Sequence, residues 1–262
     1  MLVFDEKEYA TEIINNKKYN TIKTQGRERC ILVRYLTSIL DYSNEEIKNV
    51  LEKIPMSGGE YLTPKDKDVI FSKIINKANE FDFVTGIEID IYKSEMDVIL
   101  SLENEYARNL LFVYLVYYKW ATRVKHLRFY SKHNDVMMVL ENNSDIWKLA
   151  GLSKLRVADR YRLCNILFNK GLYKIDNFKS HNYIYLPFAK DKGEVALHIS
   201  NYNNILGELL MYISPNEYKR CAVCDVVIKK TRSPKKYCTK CAYKENIRRT
   251  KENMKNLKTK VS

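Results

Sequence analysis

Four cysteines near the C-terminal end constrain this chain more than any other feature. They fall in the pattern Cys221-x2-Cys224-x13-Cys238-x2-Cys241. Two residues between paired cysteines let both sulfurs turn toward one point, and thiolate is a favoured donor to tetrahedral zinc. The 13-residue spacer is long enough for a β-hairpin that returns the second pair. Cys221, Cys224, Cys238 and Cys241 are therefore expected to hold one structural Zn2+. Four protein ligands leave no open coordination position, so the metal would contribute folding energy to a module too small to fold alone. A transient redox pair is the alternative. Cys30 and Cys164 lie in apolar helical stretches and read as core residues rather than ligands.

The charge distribution points to the same end of the chain. The formal charge is +13, yet residues 219–262 hold 15 Lys+Arg against 3 Asp+Glu, while the other 218 residues hold 30 against 29. A segment this basic usually meets a polyanion; a solvated, solubilising tail is the bland alternative. Lys229, Lys230, Arg232, Lys235 and Lys236 come from the cysteine spacer. Lys244, Arg248, Arg249 and Lys251, with Lys255 and Lys258 beyond them, come from a helical stretch after Cys241. Spacings of three, four and seven place several on shared helix faces. DNA is the expected partner, with RNA left open.

The body reads as mostly α with some β, in three parts: a helical domain over 1–92, a second domain over 93–214, and the finger with its basic tail over 215–262. Apolar residues from Cys30 to Leu40 recur at a helical period. Ser43 stands three residues before Glu46, and Thr63 precedes Pro64; both pairs predict helix starts. Ser57-Gly58-Gly59 predicts a turn. Ile87 to Tyr92 alternates apolar and acidic residues and reads as a short strand. Ser94 with Asp97 repeats the capping signal ahead of a long helix or broken pair reaching about Arg123. Leu110 to Tyr118 is apolar but too short to span a membrane, and it reads as a buried core helix.

Residues 124–200 carry the most informative fold pattern. A short helix over Asp145–Ala150 leads to a tight turn at Gly151. A second helix runs from about Lys154 to Lys170 and is closed by Gly171. Strands at Leu172–Ile175 and Tyr183–Leu186 flank a polar turn from Asp176 to Asn182. Helix, turn, longer helix and hairpin, in that order, resemble the winged-helix superfamily. On that likeness the second helix would enter the DNA major groove, with Lys154, Arg156 and Arg162 on or near it. Val195–Ile199 reads as a strand and Leu206–Ile213 as a helix. The finger reads as a separate metal-nucleated unit. Its knuckle, its hairpin from Val226–Ile228 to Lys235–Tyr237, and its helix resemble a treble-clef zinc finger.

A wider likeness rests on Cys221-Ala222-Val223-Cys224-Asp225, on Lys235-Lys236-Tyr237-Cys238-Thr239-Lys240-Cys241-Ala242, and on Arg248-Arg249. These residues resemble fingers on uncharacterised proteins of phages and integrating elements of low-G+C Gram-positive bacteria, where a similar finger often follows a winged helix. Tyr35 to Ile54 is similar to a small helical module that follows the catalytic domain in some phage primases. No primase catalytic domain precedes it here, so that activity does not carry over. The likeness implies a DNA-associated accessory or regulatory protein of a phage or mobile element. The alternative is an adaptor that docks a host or replication protein. The sequence offers no enzyme signature: His126, His133, His181 and His198 stand in no ligand or nucleophile motif, and no phosphate-binding loop occurs. Nucleases of treble-clef type place a catalytic His beside the finger hairpin, and this finger has none. The N-terminus turns acidic within a few residues, which gives no signal-peptide pattern and leads us to expect a reducing compartment, the bacterial cytoplasm.

Overall fold

Local chemistry sets the helix starts of the N-terminal third. The structure is a computed structural model that describes residues 2–19, 25–55, 62–131, 136–178, 180–231 and 235–261. The first four helices are α1 (Glu6–Asn16), α2 (Gln25–Ser38), α3 (Asn44–Glu52) and α4 (Pro64–Ala78). Ser43 forms the expected reciprocal cap of α3: its Oγ accepts from the Glu46 N–H at 3.4 Å, and the Glu46 carboxylate accepts from the Ser43 N–H at 2.8 Å. Thr63 and Asp66 do the same for α4, with Pro64 in its first turn. The turn expected at Ser57-Gly58-Gly59 lies outside the described residues.

These four helices bury a shared cluster that includes Ala10, Ile13, Leu32, Leu36, Ile47, Leu51, Phe71 and Ile75. A buried ion pair joins α1 to α2. Arg34 Nε donates to Glu6 Oε2 at 2.9 Å, and the Val84 N–H reaches the same carboxylate at 3.2 Å. Two unlike charges removed from water persist because each oxygen has a donor.

The chain packs as two compact units. One contains Met1–Ile89, Tyr118–Asp145 and Tyr173–Leu186. The other contains Asp90–Tyr117, Ile146–Leu172 and Pro187–Ser262. Among the described residues helix far outweighs strand, which makes the fold mixed but mostly α. β1 (Ile89–Tyr92) and β6 (Val195–Ile199) form at the two places expected and pair with each other. The expected long helix is a broken pair, α5 (Lys93–Leu100) and α6 (Glu105–Ala121). Ser94 does not cap α5. The buried carboxylate of Glu95 accepts from the Tyr92 N–H at 2.8 Å, and the helix starts two residues earlier than a Ser94 cap would place it, at Lys93. In α6 every residue from Leu110 to Tyr118 is buried, as expected of a core helix. No helix among the described residues is long and apolar enough to cross a membrane.

α7 (Asn143–Leu149) and α8 (Val157–Asn169) follow, with the turn between them passing Gly151 at φ +72. A side chain is strained at that backbone angle, so glycine suits it. α8 starts later than the sequence suggested, leaving Lys154 in the turn and Arg156 at the cap. Gly171, at φ +68, closes it as expected, and the Leu172 N–H returns to the Leu167 carbonyl at 3.0 Å.

The hairpin that follows is longer and tighter than expected. β4 (Lys174–Phe178) and β5 (His181–Tyr185) pair as far as Phe178 opposite His181, so the polar residues Asp176, Asn177 and Asn182 lie in strands rather than in the turn. Two strands with no clear sequence signal explain this, β2 (Arg128–Tyr130) and β3 (Met137–Leu140). They extend the hairpin into an antiparallel sheet of order β2-β3-β5-β4. The sheet also gives polar strand residues their partners: Ser131 Oγ donates to Asp176 at 2.7 Å, and Asn182 Nδ2 donates to Glu141 at 3.2 Å. The sheet belongs to the first unit, and α8 to the second.

Candidate metal centre and basic helix

The finger begins with a short hairpin built around the first cysteine pair. β7 (Tyr218–Arg220) and β8 (Val227–Lys229) pair antiparallel, with Arg220 opposite Val227. Between them the chain makes a knuckle. The Cys221 N–H donates to the Val226 carbonyl at 2.9 Å, and the Asp225 N–H returns to the Cys221 carbonyl at 3.1 Å. Asp225 sits at φ 57, an angle Asp tolerates better than most residues. This corrects the expected hairpin from Val226–Ile228 to Lys235–Tyr237. The knuckle already reverses the chain, so β8 finds its partner in β7. The later segment adds a hydrogen bond, from the Ala222 N–H to the Lys236 carbonyl at 3.1 Å. The turn residues Arg232, Ser233 and Pro234 lie outside the described residues.

The second cysteine pair arrives on a helix start. Cys238 immediately precedes α10 (Thr239–Val261), and Cys241 lies in its first turn. The four sulfur atoms lie within 4.8 Å of one another. Cys224 Sγ and Cys238 Sγ are 3.6 Å apart, and all four cysteines are free of disulfides. A tetrahedron with Zn–S arms of about 2.3 Å has edges of about 3.8 Å. The donor set therefore fits one tetrahedral ion such as zinc.

Backbone donors complete the fit. The Cys238 N–H points at Cys221 Sγ at 3.2 Å, and the Cys241 N–H points at Cys238 Sγ at 3.4 Å. Burial opposes ionisation of Cys221, but the N–H groups of Cys238, Val223 and Cys224 bring its thiol down to about 6. The hydrogen bond with the Cys224 sulfur, followed by burial, pushes Cys241 up to about 12. Cys238 is also drawn down, chiefly by the Cys241 N–H, whereas Cys241 resists because negative charge accumulates in a small volume. A divalent cation removes that penalty.

The finger does not stand apart from the body as expected. It packs on α9 (Ile205–Ile213) through both hairpin strands. Arg220 is the brace. Its guanidinium donates to both oxygens of Glu208 on α9, at 3.0 and 2.8 Å, and to Asp225 in the knuckle at 3.1 Å. Asn204 caps α9 through the Gly207 N–H at 3.2 Å and donates to the Val227 carbonyl at 2.8 Å. A Cβ at Gly207 would stand 2.3 Å from Asn204 Nδ2, so the glycine makes room for this double contact. Asn201 adds a donor to the Cys224 carbonyl at 3.4 Å. The sequence reading missed this brace; the Asn-x2-Gly step ahead of an apolar helix was the signal available. Glu208 is nearly buried. Arg220→Met should therefore destabilise the protein by about 1–3 kcal/mol, the cost of leaving a buried acceptor unpaired. Zinc content should be unchanged. A melting transition identical to the parent's would refute the brace.

The candidate phosphate-contacting residues divide into engaged and open groups. Lys229 pairs with Glu217 at 3.5 Å, and Lys230 Nζ donates to the Pro215 carbonyl at 3.2 Å. Arg248 is held by Glu245 at 2.7 Å and by Glu252, while Arg249 reaches Glu245 at 2.9 Å. Arg248, then Arg249, draws the Glu245 carboxyl down to about 2. Lys235, Lys236, Lys244 and Lys251 are exposed and make no ion pair among the described residues. Lys255 and Lys258 fall on α10, with side chains outside the described part. On the helix pair, Lys154 and Arg156 are exposed, and Arg162 pairs with Asp159 at 3.3 Å. Arg160 is occupied, donating to the Ser153 carbonyl with its guanidinium 5.5 Å from the centre of the Trp147 ring. His133, Asn134 and Asp135 lie outside the described residues.

Compared with known proteins, the chain matches no family model, no curated sequence and no solved structure.

Proposed function

We propose that this chain is a DNA-binding accessory or regulatory protein whose zinc-ordered C-terminal module grips the phosphate backbone. The supporting observation is the coincidence of charge and metal site. The segment with 15 basic against 3 acidic residues is the one whose path the four cysteines organise, and α10 leaves directly from the second pair. Lysines carried on an ordered helix keep their spacing relative to phosphates, which a disordered tail does not. We read the knuckle, hairpin and helix as a treble-clef-like finger, and α7, α8 and the β4–β5 hairpin as a winged helix. In that reading Lys154 and Arg156 approach the bases from the turn before α8, because Arg160 and Arg162 have intramolecular partners. The phage or mobile-element setting comes from the sequence likeness.

The test is fluorescence anisotropy of the zinc-loaded full chain with a random-sequence duplex, competed by single-stranded DNA and by RNA. Retention by duplex at low salt, weakened as salt rises, is expected. Absence of binding at low salt would overturn the proposal. Preferential competition by RNA would move the target to RNA.

One observation favours the adaptor alternative. Val157, Tyr161 and Phe168 lie along one side of α8 and are 66%, 68% and 57% exposed. An apolar face on the helix meant to read DNA suits a protein partner better than a groove lined with phosphates.

A further inference from the structure

α10 carries a second pattern, distinct from its lysines. Tyr243, Ile247, Thr250, Met254, Leu257 and Val261 follow one another at spacings of four, three, four, three and four. All six positions fall within the 23-residue helix. At 100° per residue all six lie within about 40° of one line, the narrow a/d stripe of a coiled-coil seam. A helix lying on its own protein's core shows a wider apolar stripe. The seam is not covered by the described part of this chain: Tyr243 is 67% exposed, Ile247 38% and Met254 57%, and Thr250 is exposed too.

The positions beside the seam discriminate between partners. With Ile247, Met254 and Val261 at a, and Tyr243, Thr250 and Leu257 at d, the e positions are Lys244, Lys251 and Lys258. The g positions are Asn246, Asn253 and Lys260. In an antiparallel pair of α10 helices, e faces e and lysine would meet lysine. In a parallel pair, g faces the following e of the other helix. Asn246 then meets Lys251, and Asn253 meets Lys258, with no like charges opposed. Ile247 and Val261 at a and Leu257 at d are also of the types that suit a two-stranded parallel coil. The two acidic residues of the helix, Glu245 and Glu252, occupy f, where they hold Arg248 and Arg249 on the outer surface.

The geometry points to α10 as a parallel, two-stranded coiled-coil contact with a second copy of this chain. The pairing makes the protein a symmetric dimer, with both zinc fingers at the N-terminal end of the coil and the basic b and c positions facing outward. It does not depend on the nucleic-acid reading, although a dimer would offer two fingers to one duplex.

Sedimentation equilibrium of the zinc-loaded full chain, in salt high enough to screen the lysines, tests this. A concentration-dependent monomer–dimer equilibrium is expected. The double variant Ile247→Asp, Met254→Asp should weaken it by more than about 100-fold, since each buried seam position would receive a charge. Both side chains are exposed in the single chain, and unchanged zinc content and helicity would show that the variant folds. Met254→Cys should form an interchain disulfide with itself, as a parallel pair places equal positions together. Three results would overturn the proposal: a monomer at every concentration, a dimer insensitive to the double variant, or a monomer that instead captures a designed three-heptad helix with Glu at e and g. The last would assign the seam to an acidic partner helix.

Discussion

Cys224→Ser is expected to take the zinc content from about one ion per chain to near none and to unfold the finger with its seat on α9. Zinc binding to finger peptides is worth about 10–16 kcal/mol in apparent free energy, and most of it depends on a complete set of four donors. Serine keeps the size of the side chain but offers no thiolate. The remaining three sulfurs would lack the full donor set needed to hold a divalent ion. The loss should spread beyond the ligands. β7 and β8 pack on α9, and the Arg220 bridge between Glu208 and Asp225 needs the knuckle in place. Elemental analysis and a thermal melt, run with chelator-treated parent protein as the reference, read both effects. Acidification should release the metal in the same way, because protons compete for the thiolates; affinity falls as pH falls and returns as it is raised. Protein purified without chelator that contains no zinc, or a Cys224→Ser protein that retains it, would refute the site.

The second large effect concerns salt. Each phosphate neutralised on duplex DNA contributes about −0.9 to the slope of log K against log salt. If five or six of the basic residues touch one duplex at once, the slope is on the order of −5. Removing residues 247–262 deletes Arg248, Arg249, Lys251, Lys255, Lys258 and Lys260 but keeps all four cysteines and the first turns of α10. The truncated protein should show a slope shallower by about 2–3 and retain its zinc. The cut is placed after Asn246 because one at the start of β7 would also strip the partner of Glu208. An Ile247→Gln, Met254→Gln variant, which keeps every lysine and adds no charge, separates lost charge from lost pairing. A truncated protein with the parental affinity and slope would show that α10 is not the DNA-contacting element.

The cysteines were legible in the sequence because metal ligation needs a particular donor at a particular spacing, and both are written in the chain. The same holds for the caps at Ser43 and Thr63 and for the buried run in α6, whose signals span a few residues each. β2 and β3 were not legible. Three or four residues carry no usable alternation; β3 forms because β5 offers an edge to pair with, and β2 then pairs with β3. The extended turn expected around Asp176 to Asn182 fails for the same reason: polar residues look like loop until Ser131 and Glu141 supply their hydrogen bonds.

By itself, then, the sequence determined the four cysteines that could hold a metal, the concentration of positive charge beside them and most of the helices, all of which depend on neighbours along the chain. Tertiary structure alone decided that β8 pairs backward with β7, that Arg220 ties the knuckle to α9, and that Arg248 and Arg249 are already engaged while Lys244 and Lys251 stay open. Each of those outcomes is a competition among partners brought together only by folding, and hydrogen-bond geometry and burial pick the winner.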